Sequence, residues 1–250
     1  MLIVVLGVGI ALLAQQWVEN RSWTARVERA ERQLANETSG NFFFGAERIT
    51  VRPCVDAQLD RLIAAAMEPA ARNVPQPAVV SGLGTYALRQ PNRPFDTTAW
   101  RGIVGDGVAA HFDEDRRDLF SEAYNQIAGL DPMTEQSQIL ATGLSGLLFP
   151  IEMTADIRER MIERAMALKA NNNLMALMSA QLMVNLDALG AAPSKAEIDA
   201  QIARGNSRTV TFCRERGLPL GDWHRELMKE RAEAIRTGDL VGRYRNPRAQ

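Results

Sequence analysis

Cysteine and histidine are scarce in this chain, with two of each among 250 residues. Two cysteines cannot build a disulfide-dense scaffold or a four-cysteine zinc site. His111 and His224 alone leave little material for a histidine-rich metal centre or a proton relay. Neither sign of charge is in excess: 29 Lys and Arg face 30 Asp and Glu. That balance argues against a nucleic-acid binder, which normally presents a basic face. GxxxxGK[ST], GxGxxG after a strand, GxSxG and CxxC are all missing, and each gap removes a common enzyme class. No cofactor or metal is expected. Strict period-2 alternation of strand length, bounded by turns, is missing too, and Thr209 to Phe212 is the one β-like stretch. A 46% hydrophobic and 24% charged composition is ordinary for a globular chain. It excludes a disordered, collagen-like or multi-pass membrane protein.

Charge is also missing from residues 1 to 18, whose centre reads LIVVLGVGIALLA. Eighteen helical residues reach roughly 27 Å, close to the bilayer core of about 30 Å. A cleaved signal peptide would need a basic start, and a buried core helix is a further reading. The favoured expectation is an uncleaved single-pass anchor at 1–18. Trp17 and Trp23 would lie at the membrane interface, where indoles collect. The run opens at Met1 itself, which leaves open a start further upstream. Gly7 and Ala11 form a small-xxx-small pair that would let two such helices approach. Arg21, Arg26, Arg29 and Arg32 come directly after the span, and the positive-inside rule would keep them cytoplasmic. The cysteine pair argues the other way.

The chain beyond the span reads as helices. Trp23, Val27, Ala30 and Leu34 are spaced 4, 3, 4, a seam suited to a partner or a second copy. The juxtamembrane helix is therefore drawn over 19–41, with a break expected in NETSGN at 36–41. A soluble helical domain is drawn over 42–250. Its first helix ends near Met67, and a Pro/Gly-rich irregular segment spans 69–95. Further helices are expected at 96–107, 113–127, 134–149, 154–189, from Ser194, at 212–216 and at 222–236. Ser194 with Glu197 spells a capping box. The class is all-α, an irregular bundle behind an N-terminal transmembrane helix.

Candidate chemistry is thin. Cys54 and Cys213 are either one disulfide or two unrelated buried thiols. Pairing favours an oxidising compartment. Asp113, Glu114 and Asp115 look like a cation cluster, but carboxylates at a helix start also suit the helix dipole, and that reading is preferred. Six of the ten methionines lie between Met153 and Met183, a stripe more suited to core than to a promiscuous binding surface. Asn171, Asn172 and Asn173 mark a kink or polar layer in the same helix. Asp222 and His224 are the only pairing that hints at a tethered hydrolase.

LIVVLGVGIALLAQQWVENRSW, together with residues 96–127, resembles a broad group of uncharacterised bacterial proteins. They open with an IVVLGVLIAL-like helix and carry a Thr-x-x-Trp…Tyr helical signature. Thr97, Trp100 and Tyr124 match that signature. The resemblance implies a single-pass membrane protein with a helical extracytoplasmic domain, and it carries over no catalytic residue. The expected role is therefore structural or partner-binding, at the periplasmic face of a bacterial inner membrane. A small-molecule sensor is the first alternative and a membrane-tethered hydrolase the second. A tight hairpin is expected around Trp100 and Tyr124, with both rings buried against the 154–189 helix.

Overall fold

The computed structural model describes residues 2–67, 78–80, 84–148, 154–205 and 207–238, with side chains from Gly9 onward outside the short strands. The chain is all-α. Helix α1 runs over Leu2–Met67 and α2 over Thr98–Gly105. The long α3 (Glu114–Gly143) and α4 (Ala155–Ala188) come next, then the short α5 (Lys195–Ala203) and α6 (Arg208–Glu215), and α7 (Trp223–Thr237). Within the Pro/Gly-rich segment, β1 (Ala78–Val80) pairs antiparallel with β2 (Gly84–Tyr86), Val79 opposite Thr85. Residues 68–77 and 81–83 of that segment lie outside the described residues.

One core unites these elements. Between Asn41 and Thr50, α1 is buried on nearly every face, so it is the central rod rather than a surface helix. The side chains of Phe42, Val51 and Leu59 are almost wholly buried. Helix α4 packs along α1 and α3, with Leu168, Leu182, Met183 and Leu186 inward. Gly45 makes the α1–α4 approach close: a Cβ there would meet Met183 Cγ and Sδ at 3.0 Å.

The break expected at 36–41 does not occur. In isolation Asn, Thr and Gly compete with or weaken a helix. Here the buried polar side chains Glu37, Thr38 and Asn41 are satisfied without leaving it. Thr38 Oγ1 donates back to Leu34 O at 2.6 Å, and Glu37 and Asn41 turn to partners beyond the helix. The juxtamembrane helix and the first domain helix are thus one element, and the core begins at Ala30 rather than residue 42. The helix also continues past Pro53. Proline removes the N–H that would bond the carbonyl four residues back. Gly221 N–H donates to the neighbouring Thr50 O at 2.8 Å, on this same turn.

Two further expectations are corrected. The stretches 113–127 and 134–149 merge into α3, which passes through Pro132. Thr209 to Phe212 is helical, within α6, where Ser207 caps by accepting from Val210 N–H. The capping box is present: Ser194 accepts from Glu197 N–H while the Glu197 carboxylate accepts from Ser194 N–H. Helix α4 starts at its N-cap Thr154 and stays unbroken through the three asparagines.

Cys54 and Cys213 form a disulfide with Cα atoms 6.0 Å apart, tying α1 to α6. Both cysteines are fully buried, beside Leu218 and Phe212.

Among the described residues no helix is long and apolar enough to cross a membrane. The side chains of residues 1–8, Gly7 among them, lie outside the described residues, so much of the 1–18 expectation falls there. Ile10, Leu12, Leu13, Trp17 and Val18 are 59–68% exposed.

Candidate functional site

A recess lies between α1 and α2 near the start of the domain. It is an open groove of about 1120 Å³. Two contacts set its direction. Glu37 meets the N-terminus of α2, and Trp23 stacks on His111 in the turn after α2, centroids 3.8 Å apart. The two helices therefore run antiparallel along the groove, with Ala30, Ile103 and Val108 among its lining residues.

Glu37 organises the upper end. Its Oε2 accepts from Ala99 N–H at 2.6 Å and its Oε1 from Trp100 N–H at 3.3 Å. The Tyr124 hydroxyl donates to the same Oε1. Thr97 stands at the N-cap of α2 but makes no side-chain cap bond. A carboxylate from another helix takes that role, where N–H groups and the helix dipole both favour negative charge. Burial first, and the bond to Glu37 next, raise the Tyr124 phenol well above its ordinary 10.0. It stays a donor at any physiological pH.

Asn41 locks the segment that leads into α2. Its Nδ2 donates to Asp96 O at 2.7 Å, and its Oδ1 accepts from Asp96 N–H at 2.8 Å. The Asp96 carboxylate accepts from Thr98 N–H at 2.9 Å. That backbone bond, then the Thr98 side chain, hold Asp96 below its ordinary 3.8.

The signature residues do come together. The Trp100 and Tyr124 rings stack with centroids 5.3 Å apart and planes 9° from parallel, and Phe120 stacks on Trp100 at 5.7 Å. Tyr124 is buried and Trp100 half-buried. The pair is tied to α1 through Glu37, not to the 154–189 helix as expected. Sequence reasoning missed Glu37 and Asn41. Both sat in the supposed break, and the one signal was polar residues at positions where an amphipathic register pointed inward.

Other expected residues have other duties. Trp23 stacks on His111, and the Arg26 guanidinium lies 4.8 Å from its centroid. Trp17 is exposed, with Arg21 5.4 Å from its ring. The Trp23, Val27, Ala30, Leu34 seam is consumed inside the chain. Ala30 and Leu34 are buried in the core, and Trp23 and Val27 pack on it. Asp222 caps α7 through Arg225 N–H. His224 sits edge-on to Trp223 at 5.4 Å. Asp113 is the N-cap of α3 without a side-chain cap bond, and Glu114 and Asp115 occupy its first turn. Among the described residues no His, Cys, Asp and Glu group could hold a metal ion.

A polar layer crosses the core below the groove. Buried Arg48 donates to Thr134 Oγ1 at 2.9 Å and lies 5.7 Å from the Phe95 ring. Burial pulls its guanidinium down to about 10, against the pull of Glu47 and Asp131. Buried Glu47 receives the Ser207 hydroxyl. Asn171 donates to Met133 O and Ser137 Oγ, and Asn172 to Arg52 O and Asp56. Asn171 and Asn172 thus belong to a polar layer in an unbroken helix, while Asn173 is exposed and donates back to Lys169 O. Met175 and Met183 are buried, Met166 is exposed, and Met153 lies outside the described residues. No protein-family model, no curated protein and no solved structure matches the chain.

Proposed function

We propose that this chain is a single-pass, membrane-anchored protein whose helical domain faces the periplasm of a bacterium and acts by binding rather than catalysis. One observation carries the reading. Helix α1 is continuous from an uncovered apolar end, Gly9 to Val18, to the centre of the domain. Such an apolar surface needs a cover. A bilayer suits it, because the first charge is Glu19 and the run before it matches the hydrocarbon thickness. Anchor and domain would then be one rigid rod. The disulfide supports an oxidising compartment. The four arginines after the span stand against this orientation, and a large translocated domain can override local charge. The binding role is favoured because the buried carboxylate in the groove is already engaged by three donors of the chain itself.

Fractionation of a bacterium expressing the full chain tests the anchor. It should stay with membranes through alkaline carbonate washing. Alkaline phosphatase fused after Gln250 should be active. Recovery in the soluble fraction would overturn the anchor, and a fusion active only as a cytoplasmic reporter would overturn the orientation.

A further inference from the structure

The groove between α1 and α2 carries opposite charge at its two ends. We propose that it binds an extended zwitterionic ligand, a short peptide with free termini, its ammonium beside Glu37 and Asp96 and its carboxylate beside Arg26 and Arg29. The inference rests on the binding role proposed above, but not on the anchor.

The acidic end holds two carboxylates, and the α2 N-terminus offsets only part of their charge. The Glu37 carboxylate already accepts three bonds, so the exposed Asp96 carboxylate, which accepts from Thr98 N–H, is the main acceptor left for an ammonium, since a carboxylate can accept about four bonds. The basic end holds Arg26 and Arg29 against Asp106 alone, leaving it net positive. Arg29 makes no side-chain hydrogen bond or ion pair among the described residues. Neither do Gln33 and Asn36, which line the same wall between the charged ends. Those side chains can read the backbone of a bound strand. Eight residues separate Arg29 from Glu37, about 12 Å along the helix. Four extended residues span about 13 Å. Gly102 faces the groove, and a Cβ there would meet nothing within 4 Å, so the opposite wall leaves room for a chain. Opposed end charges fix direction as well as affinity, because a reversed ligand would place like charges together.

Titration of the full chain in detergent with tetra-alanine tests this, read by calorimetry and by Trp fluorescence. Saturable binding is expected. N-acetylation or C-amidation of the peptide should each weaken it at least tenfold, since each removes a charge-assisted contact. Arg29→Glu and Asp96→Asn should do the same with the circular dichroism spectrum unchanged. Lys195→Ala, on distant α5, should leave affinity unaltered. Absence of saturation at peptide concentrations on the order of 10 mM, or equal binding of capped peptides, would overturn the proposal. So would full affinity in a folded Arg29→Glu variant. Membrane fractionation is independent of this titration, so failure of the ligand and failure of the anchor are distinguishable.

Discussion

The Tyr124 hydroxyl donates to Glu37 Oε1 across 87 residues of sequence. This bond joins α3 to α1, and the same carboxylate holds the N-terminus of α2. Three helices therefore meet at one buried carboxylate. N–H and O–H donors replace the water that Glu37 gave up on burial.

Tyr124→Phe removes one of those donors and nothing else. A hydrogen bond to a charged group contributes about 1.5–3 kcal/mol, so urea denaturation should show a loss of roughly 2 kcal/mol. Trp100→Ala removes a half-buried ring from the stack. The loss should be about 2–3 kcal/mol, below that of a fully buried ring. An unchanged melting temperature for both variants would mean the node does not hold α2.

Removing the disulfide frees the unfolded chain. The cysteines are 159 residues apart, for which the chain-entropy relation sets a ceiling of about 5 kcal/mol. Cys54→Ser should lower stability by less than that and change migration on a non-reducing gel. In the native protein neither sulfur should react with a thiol reagent after mild reductant, since both cysteines are fully buried. Rapid labelling of the folded protein would contradict that burial.

Arg48 and Glu47 should couple. Arg48→Met alone removes the hydrogen bond to Thr134 and the attraction between the Arg48 and Glu47 charges, and losing a hydrogen bond to a charged group costs about 1.5–3 kcal/mol. Glu47→Gln added to Arg48→Met should recover part of the loss. A double-mutant cycle by chemical denaturation measures the difference. Strict additivity of the two substitutions would mean the charges do not interact.

Gly221→Ala should be costly although its side chain is the smallest available. An added Cβ would lie 2.8 Å from Ile49 O, a backbone atom at the Pro53 turn. Overpacking of this kind costs about 1–3 kcal/mol. Gly102→Ala is the control, because open space surrounds it, and helix propensity predicts a gain of up to about 1 kcal/mol. Equal melting temperatures for the two variants would refute the close approach.

Much of the helix content was legible because helices announce their ends locally. Thr154, Ser194 with Glu197, and Asp222 are all caps at the expected positions. The inner side of α4 follows helical spacing as well, with Leu168, Met175, Leu182 and Leu186 buried. The cysteine pair was readable as one of two options. The continuity of α1 through 36–41 and of α3 through Pro132 was not. Local propensity treats Asn, Thr, Gly and Pro as interruptions, and it has no access to partners that arrive from elsewhere in the chain.

The all-α class, the caps, the uncharged apolar start and the lack of common catalytic motifs are properties of the sequence. They depend on residues within a few positions of one another. That α1 is one rod, that Trp23 and Leu34 face inward, and that Glu37 rather than Thr97 caps α2 are properties of the packed fold. Those outcomes depend on which polar groups meet across tens of residues. A polar side chain on a helix reads the same in sequence whether water or a buried donor awaits it, and only folding distinguishes the two.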